Sequence, residues 1–194
     1  MNPTEPTWRS YIVETTEPIF TPRQCQMVID KGMSLKSEDA KVGMGRKPGG
    51  GYDPKKRITT ISWIPFKEMP EMYRDIEATM LKANNNHFGF EGMRLTEPGQ
   101  FTHYPTGGFY DWHMDNDVMG KHQPPVRKIS MTLLLSPEHE FEGGELEFMS
   151  KGKRAKLKQG QAMFFASWLQ HRVKPVTRGE RSSLVMWFGG PSFK

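Results

Sequence analysis

Hydrophobic positions along the chain follow a helical period in its first half and a strand period in its second. From Pro70 to about Asn84, the apolar residues Met72, Tyr73, Ile76, Met80 and Leu81 recur near helical spacing, which predicts a helix with one face in the core. Thr21 followed by Pro22 has the form of an N-cap with proline at the first helical position, and Gly32 that of a C-terminal stop, so a first helix of about three turns is expected between them. Between the helices, Ile58 to Ile64 is rich in β-branched residues and reads as a strand. The Asn84-Asn85-Asn86 cluster is expected to end the second helix. From about residue 99 onward, short apolar runs alternate with turn signals. Eight strands are predicted, at 99–104, 109–115, 126–135, 145–149, 153–158, 161–166, 171–176 and 182–189.

Eight strands after a helical half predict an α+β protein with a jelly-roll core braced by N-terminal helices. The length of 194 residues suits a single domain, with residues 1–97 as a supporting half and 98–190 as the catalytic core.

Composition narrows the picture. The chain is 36% hydrophobic and 25% charged, as in soluble globular proteins, and its 19 glycines and 15 prolines agree with many turns. No apolar run approaches the roughly 18 residues of a membrane span. The opening Met1-Asn2-Pro3-Thr4-Glu5-Pro6 lacks the basic and apolar regions of a signal peptide, and Cys25 is the single cysteine, so a reducing, cytoplasmic location is expected. The net charge of +5 is carried partly by Lys151 to Lys158 and by the stretch from Lys41 to Arg57. In the former, basic residues mostly alternate with small or apolar ones, as on a solvated edge hairpin, and no aromatic is present to stack on bases; a nucleic-acid partner is not expected. The glycine-rich run around Lys41 to Gly51 is too permissive for a packed element and reads as a loop or a substrate lid.

The chemistry-bearing residues cluster in the strand-rich half. In Phe109-Tyr110-Asp111-Trp112-His113-Met114-Asp115, strand alternation sets His113 and Asp115 on one face. His171 opens a later strand. Two histidines and one carboxylate form the facial triad that holds Fe(II) and leaves open positions for substrate and oxygen. Arg181, ten residues on, offers a guanidinium suited to a bidentate grip on a carboxylate. The remaining histidines carry no such signal: His87, His122 and His139 lie in polar, turn-like surroundings expected at the surface, and His103 points away from the face of Tyr104. Trp112 alternates away from the ligands, and Trp187 is expected in the core.

These motifs resemble the Fe(II)- and 2-oxoglutarate-dependent dioxygenases, in their prolyl/lysyl-hydroxylase-like branch, over about residues 98–189. The resemblance lies in Tyr104-Pro105-Thr106-Gly107-Gly108-Phe109-Tyr110 leading into His113 and Asp115, in the run from Arg127 to Ser136, in Phe141-Glu142-Gly143-Gly144-Glu145-Leu146, and in His171 to Val176 followed by Arg181 and Trp187. It implies that His113, Asp115 and His171 bind iron and that Arg181 pairs with the distal carboxylate of 2-oxoglutarate, with hydrogen bonds from Tyr104 and Ser183. Hydroxylation of a protein or peptide residue is then expected, prolyl first, with succinate and CO2 as co-products and ascorbate as a possible reductant. Some relatives carry an aromatic hydroxyl on the third strand, where this chain has Leu133-Leu134-Leu135. Nucleic-acid demethylases of the same fold carry a second arginine six residues after the first; here that position is Trp187. A metal-binding jelly roll without turnover is the remaining alternative.

Overall fold

The computed structural model describes residues 10–40, 53–116, 123–149 and 154–193. In chain order the first half contains Ile12–Glu14 (β1), Pro22–Ser34 (α1), Glu38–Asp39 (β2), Arg57–Ile58 (β3), Thr60–Ile64 (β4), Pro70–Ala83 (α2) and Arg94–Leu95 (β5). The second half is strands: Gly99–Tyr104 (β6), Phe109–His113 (β7), Val126–Leu134 (β8), Glu142–Gly143 (β9), Leu146–Phe148 (β10), Arg154–Ala155 (β11), Ala162–Ala166 (β12), His171–Val173 (β13), Val176–Arg178 (β14) and Arg181–Gly190 (β15).

All pairings are antiparallel, and they divide the strands between two main sheets. The larger follows the order β1-β12-β8-β15-β6-β4-β2, with β5 beside β15; the smaller runs β11-β10-β13-β7-β3. Of the eight predicted strands, the first, third, sixth and eighth therefore lie in the larger sheet and the other four in the smaller. This interleaving is a jelly roll. The first half adds strands to both sheets as well as the two helices, because β3 extends the smaller sheet through β7 while β1, β2, β4 and β5 extend the larger.

Two apolar clusters hold the layers together. One joins the helices to the larger sheet through Val28, Met72, Ile76, Met80, Phe101, Ile129 and Leu184. The other fills the space between the sheets with Tyr104, Leu134, Leu146, Phe148, Phe165 and Val173.

Local chemistry accounts for the helix bounds and corrects two expectations. Thr21 caps α1 in a reciprocal pair with Gln24, and Pro22 occupies the first turn, as expected. Gly32, however, is inside the helix, which ends at Ser34. A Cβ at residue 32 would lie 2.2 Å from Cγ of Phe101, so glycine is there to let the helix approach β6. On α2, Leu81 is exposed, whereas Met72, Tyr73, Ile76 and Met80 are buried. The asparagine cluster prolongs the helix as one π-turn over Asn84–Phe88, because the Asn84 side chain bonds both the N–H and the carbonyl of Phe90. The predicted strand 171–176 is two strands, interrupted at Lys174 and Pro175. The lid expectation for Lys41 to Arg57 lies largely outside the described residues, as does His122. Among the described residues, no helix is long and apolar enough to cross a membrane.

Candidate active site

Two cross-strand pairs carry the site. In the smaller sheet, His113 on β7 sits opposite His171 on β13. In the larger sheet, Tyr104 on β6 sits opposite Arg181 on β15.

Asp115 joins the first pair, but not by strand alternation, since β7 ends at His113. The backbone N–H groups of Asp115 and Asn116 both donate to the carbonyl of Ser167, at 2.9 and 3.0 Å, and the Asn116 amide donates to the Arg127 carbonyl. The chain after β7 is thereby folded back onto the end of β12. Nε2 of His113 lies 3.8 Å from one Asp115 carboxylate oxygen, and Nε2 of His171 lies 3.7 Å from the other. One ligand atom from each of the three residues falls within 4.8 Å of the others.

The imidazoles are oriented from behind. Nδ1 of His113 is 2.7 Å from the Asp111 carbonyl, and Nδ1 of His171 is 2.9 Å from the Leu169 carbonyl. A carbonyl can only accept, so each Nδ1 carries a proton and each Nε2 is the nitrogen turned to the common centre. The Tyr110 ring stacks on His113 at 3.5 Å, and Phe165 meets His171 edge-on. Burial, helped by nearby His171, lowers the His113 pKa to about 3, so the ring is neutral at physiological pH. Burial works against the Asp115 charge, but His171, His113, Ser130 and Trp187 together hold the carboxyl below its ordinary range. Its Oδ2 is buried without a hydrogen-bond partner among the described residues. Two imidazoles with Nε2 turned inward and an orphaned carboxylate oxygen, converging on one point, fit a divalent metal.

Arg181 is 3% exposed. Its Nη1 donates to Ser183 Oγ at 3.1 Å, and its guanidinium lies 5.4 Å from the centre of the Tyr104 ring. Among the described residues no carboxylate neutralises it, and burial pushes its pKa below the usual arginine value while Tyr104 acts in the opposite direction. The stem has room because of Gly144: a Cβ there would lie 2.7 Å from Cδ of Arg181, and φ of +67° already excludes most side chains. Within Leu133-Leu134-Leu135, Leu134 pairs with Ser183 and is buried in the inter-sheet core. Arg181, Tyr104 and Ser183 thus form a cationic pocket able to take a carboxylate, on the sheet facing the triad.

The other aromatics and histidines follow their surroundings. His103 bonds Ser182 and lies 3.7 Å from Glu180, away from the triad. His139 is exposed, but His87 is half-buried, contrary to expectation, and its Nδ1 has no partner among the described residues. Trp187 is buried under the Arg127 guanidinium, and its indole N–H has no hydrogen-bond partner among the described residues. Three participants escape a reading of the sequence. Ser130 and Ser167 bond each other behind Asp115, and Arg57 lies over Tyr110 at 4.3 Å. The serines carry no local signal, whereas Arg57 lies in a basic stretch that resembles solvated charge.

Comparison with known proteins agrees with this geometry. Residues 99–189 match the family model of the 2OG-Fe(II) oxygenase superfamily. A PKHD-type hydroxylase of Teredinibacter turnerae is 32% identical over 157 residues, covering 77% of this chain and 68% of that protein. Another, of Hyphomonas neptunium, is 44% identical over 84 residues, covering 42% of this chain, and the match spans only 38% of that relative's length. A viral collagen prolyl hydroxylase from Paramecium Bursaria Chlorella virus-1, in a 2OG complex, superposes with a TM-score of 0.72 at 20% identity, over 93% of this chain and 97% of that one. The chain belongs to the 2OG-Fe(II) oxygenase superfamily and shares it with the PKHD-type hydroxylases.

Proposed function

We propose that the protein is a 2-oxoglutarate-dependent dioxygenase that hydroxylates a residue of a protein or peptide, prolyl in the first instance. The carrying observation is that a three-ligand cluster lies opposite a buried guanidinium that has no counter-charge among the described residues. His113, Asp115 and His171 would hold Fe(II), and Arg181, with Tyr104 and Ser183, would receive the distal carboxylate of 2-oxoglutarate. The bound metal and cosubstrate supply an oxidation in which O2 places one oxygen in succinate, with loss of CO2, and the other in the hydroxylated product. The chain's own residues orient and exclude. The Asp111 and Leu169 carbonyls fix the two Nε2 lone pairs, and Phe148, Phe165 and Leu146 keep the inter-sheet space apolar so that water is largely shut out. The Tyr110 hydroxyl, whose pKa is pushed up to about 12 by burial, stays a proton donor within the site.

Support for a peptide substrate comes from the names of relatives: hydroxylases by sequence and a collagen prolyl hydroxylase by fold. The test is succinate formation after anaerobically purified protein is given Fe(II), 2-oxoglutarate and ascorbate and then exposed to oxygen, with Asp115→Ala as control. A proline-containing peptide library scored for a gain of one oxygen then identifies the substrate. Absence of both succinate formation and 2-oxoglutarate binding by the metal-loaded protein would reject the reading.

A further inference from the structure

Arg57 is a second buried cation of the site, and nothing in the reading above uses it. It is 7% exposed and lies on β3, paired across the sheet with Tyr110 on β7. Its guanidinium covers one face of the Tyr110 ring at 4.3 Å, while His113 stacks on Tyr110 at 3.5 Å and 14°. The three groups form a stack that begins at a metal-ligand candidate and ends at a positive charge. Nη2 of Arg57 donates to the buried Gln100 at 3.3 Å, which fixes the fork. Its Nε is buried and has no hydrogen-bond partner among the described residues. Tyr110 carries both contacts, so the guanidinium is one ring away from His113.

Among the described residues this guanidinium meets only the Tyr110 side chain and the Gln100 amide and keeps an idle Nε, and a buried cation so placed is costly unless an anion completes it. A surface arginine would turn its idle donor to water; this one is held away from water by the sheet. The charge count agrees. Among the described residues neither Arg57 nor Arg181 has an ion pair and Asp115 is the one carboxylate of the ligand cluster, while a divalent metal with a dianionic cosubstrate adds no net charge. One positive charge remains for a ligand to balance.

We propose that Arg57 is a second carboxylate-binding residue of the site, on the His113 side and separate from Arg181. The inference rests on the reading of the site as a 2-oxoglutarate oxygenase and adds to it a demand on the ligand. The carboxylate can come from the primary substrate, which the charge count favours, or from the metal-side end of the cosubstrate.

Mn(II)-loaded protein separates these sources without turnover. Calorimetric titration with 2-oxoglutarate, and with pyruvate, which has no distal carboxylate for Arg181, is compared in wild type, Arg57→Gln, Arg57→Lys and Arg181→Gln. In parallel, the paramagnetic relaxation of acetate methyl protons is measured on the protein saturated with Mn(II) and 2-oxoglutarate, with acetamide as the neutral control. If the substrate supplies the carboxylate, Arg57→Gln weakens acetate binding by roughly ten- to a hundredfold, removing the acetate relaxation, and spares both oxo acids. If the cosubstrate supplies it, the same variant weakens 2-oxoglutarate and pyruvate by equal factors. Acetate relaxation and oxo-acid affinities all unchanged in Arg57→Gln overturn the proposal. Arg57→Lys keeps the charge without the fork and gives an intermediate loss; it decides the matter should the glutamine variant not fold. Unchanged 2-oxoglutarate affinity in Arg181→Gln would instead sink the cosubstrate reading itself, so the two failures are distinguishable.

Discussion

Replacing Arg181 by methionine separates a ligand-binding guanidinium from a structural one. In the folded protein this charge is 3% exposed, has one side-chain hydrogen bond among the described residues, to the Ser183 hydroxyl, and rests beside the Tyr104 ring. Methionine keeps most of the stem's volume beside Gly144 and ends the cost of burying a cation without a counter-charge. Against that gain stand one charge-assisted hydrogen bond, worth about 1.5–3 kcal/mol, and a cation–ring contact of about 0.5–2 kcal/mol. These nearly offset each other, so the metal-free variant should unfold within about 2 kcal/mol of wild type, or above it. Ligand binding responds very differently. Without Arg181 the distal carboxylate of 2-oxoglutarate is buried unpaired, which costs about 2–5 kcal/mol and weakens affinity by roughly 30-fold to several thousandfold. Calorimetric titration of 2-oxoglutarate into the Mn(II)-loaded variant, alongside urea unfolding of the metal-free form, measures both quantities. Affinity within about threefold of wild type, or a stability loss above about 4 kcal/mol, would refute the assignment of Arg181 as a cosubstrate residue.

Asp115→Ala removes the charged member of the cluster, so Mn(II) binding followed by electron paramagnetic resonance should be lost; wild-type affinity would exclude the triad. Gly144→Ala forces a left-handed φ on alanine and presses on the Arg181 stem, costing about 1–3 kcal/mol of stability and weakening 2-oxoglutarate binding, whereas an unaltered cosubstrate affinity would show that the guanidinium position tolerates the shift. In the metal-free protein, the unfolded chain protonates His113 near pH 6.5 while the folded chain resists until about 3, so stability falls as pH drops through that window, and His113→Asn should flatten the slope. Equal slopes in the two proteins would contradict a neutral His113. Cys25 is fully buried with its thiol pushed up to about 11, so disulfide-exchange reagents should label it only on unfolding, and rapid labelling of the native protein would be inconsistent with its burial.

How much of this site was legible in the sequence depended on how locally each residue's role is determined. The strand 99–104 and the first turn of α1 follow from alternation, capping and proline, which act within a few residues, and both appear where the pattern predicts them. Gly32 reads as a helix stop because a glycine has one local meaning; its actual reason, the ring of Phe101 on another element, lies 69 positions away and leaves no local mark. Asp115 shows the limit more sharply: alternation sets it on the face of His113, but β7 ends before it and other contacts bring it beside the two histidines. Its carboxylate is aimed by Ser167, which accepts two backbone N–H groups only once β12 has been laid beside β8. Arg57 is the extreme case. In sequence it closes a basic, glycine-rich stretch and looks solvated, and only the pairing of β3 with β7 converts it into a buried charge over Tyr110. The triad is legible because its members must be of particular chemical types, whereas Arg57 could be any surface arginine until the sheet closes over it. Residues of that second kind depend on sheet closure as well as on residue type, so a short motif that reveals the metal-ligand candidates leaves them unmarked.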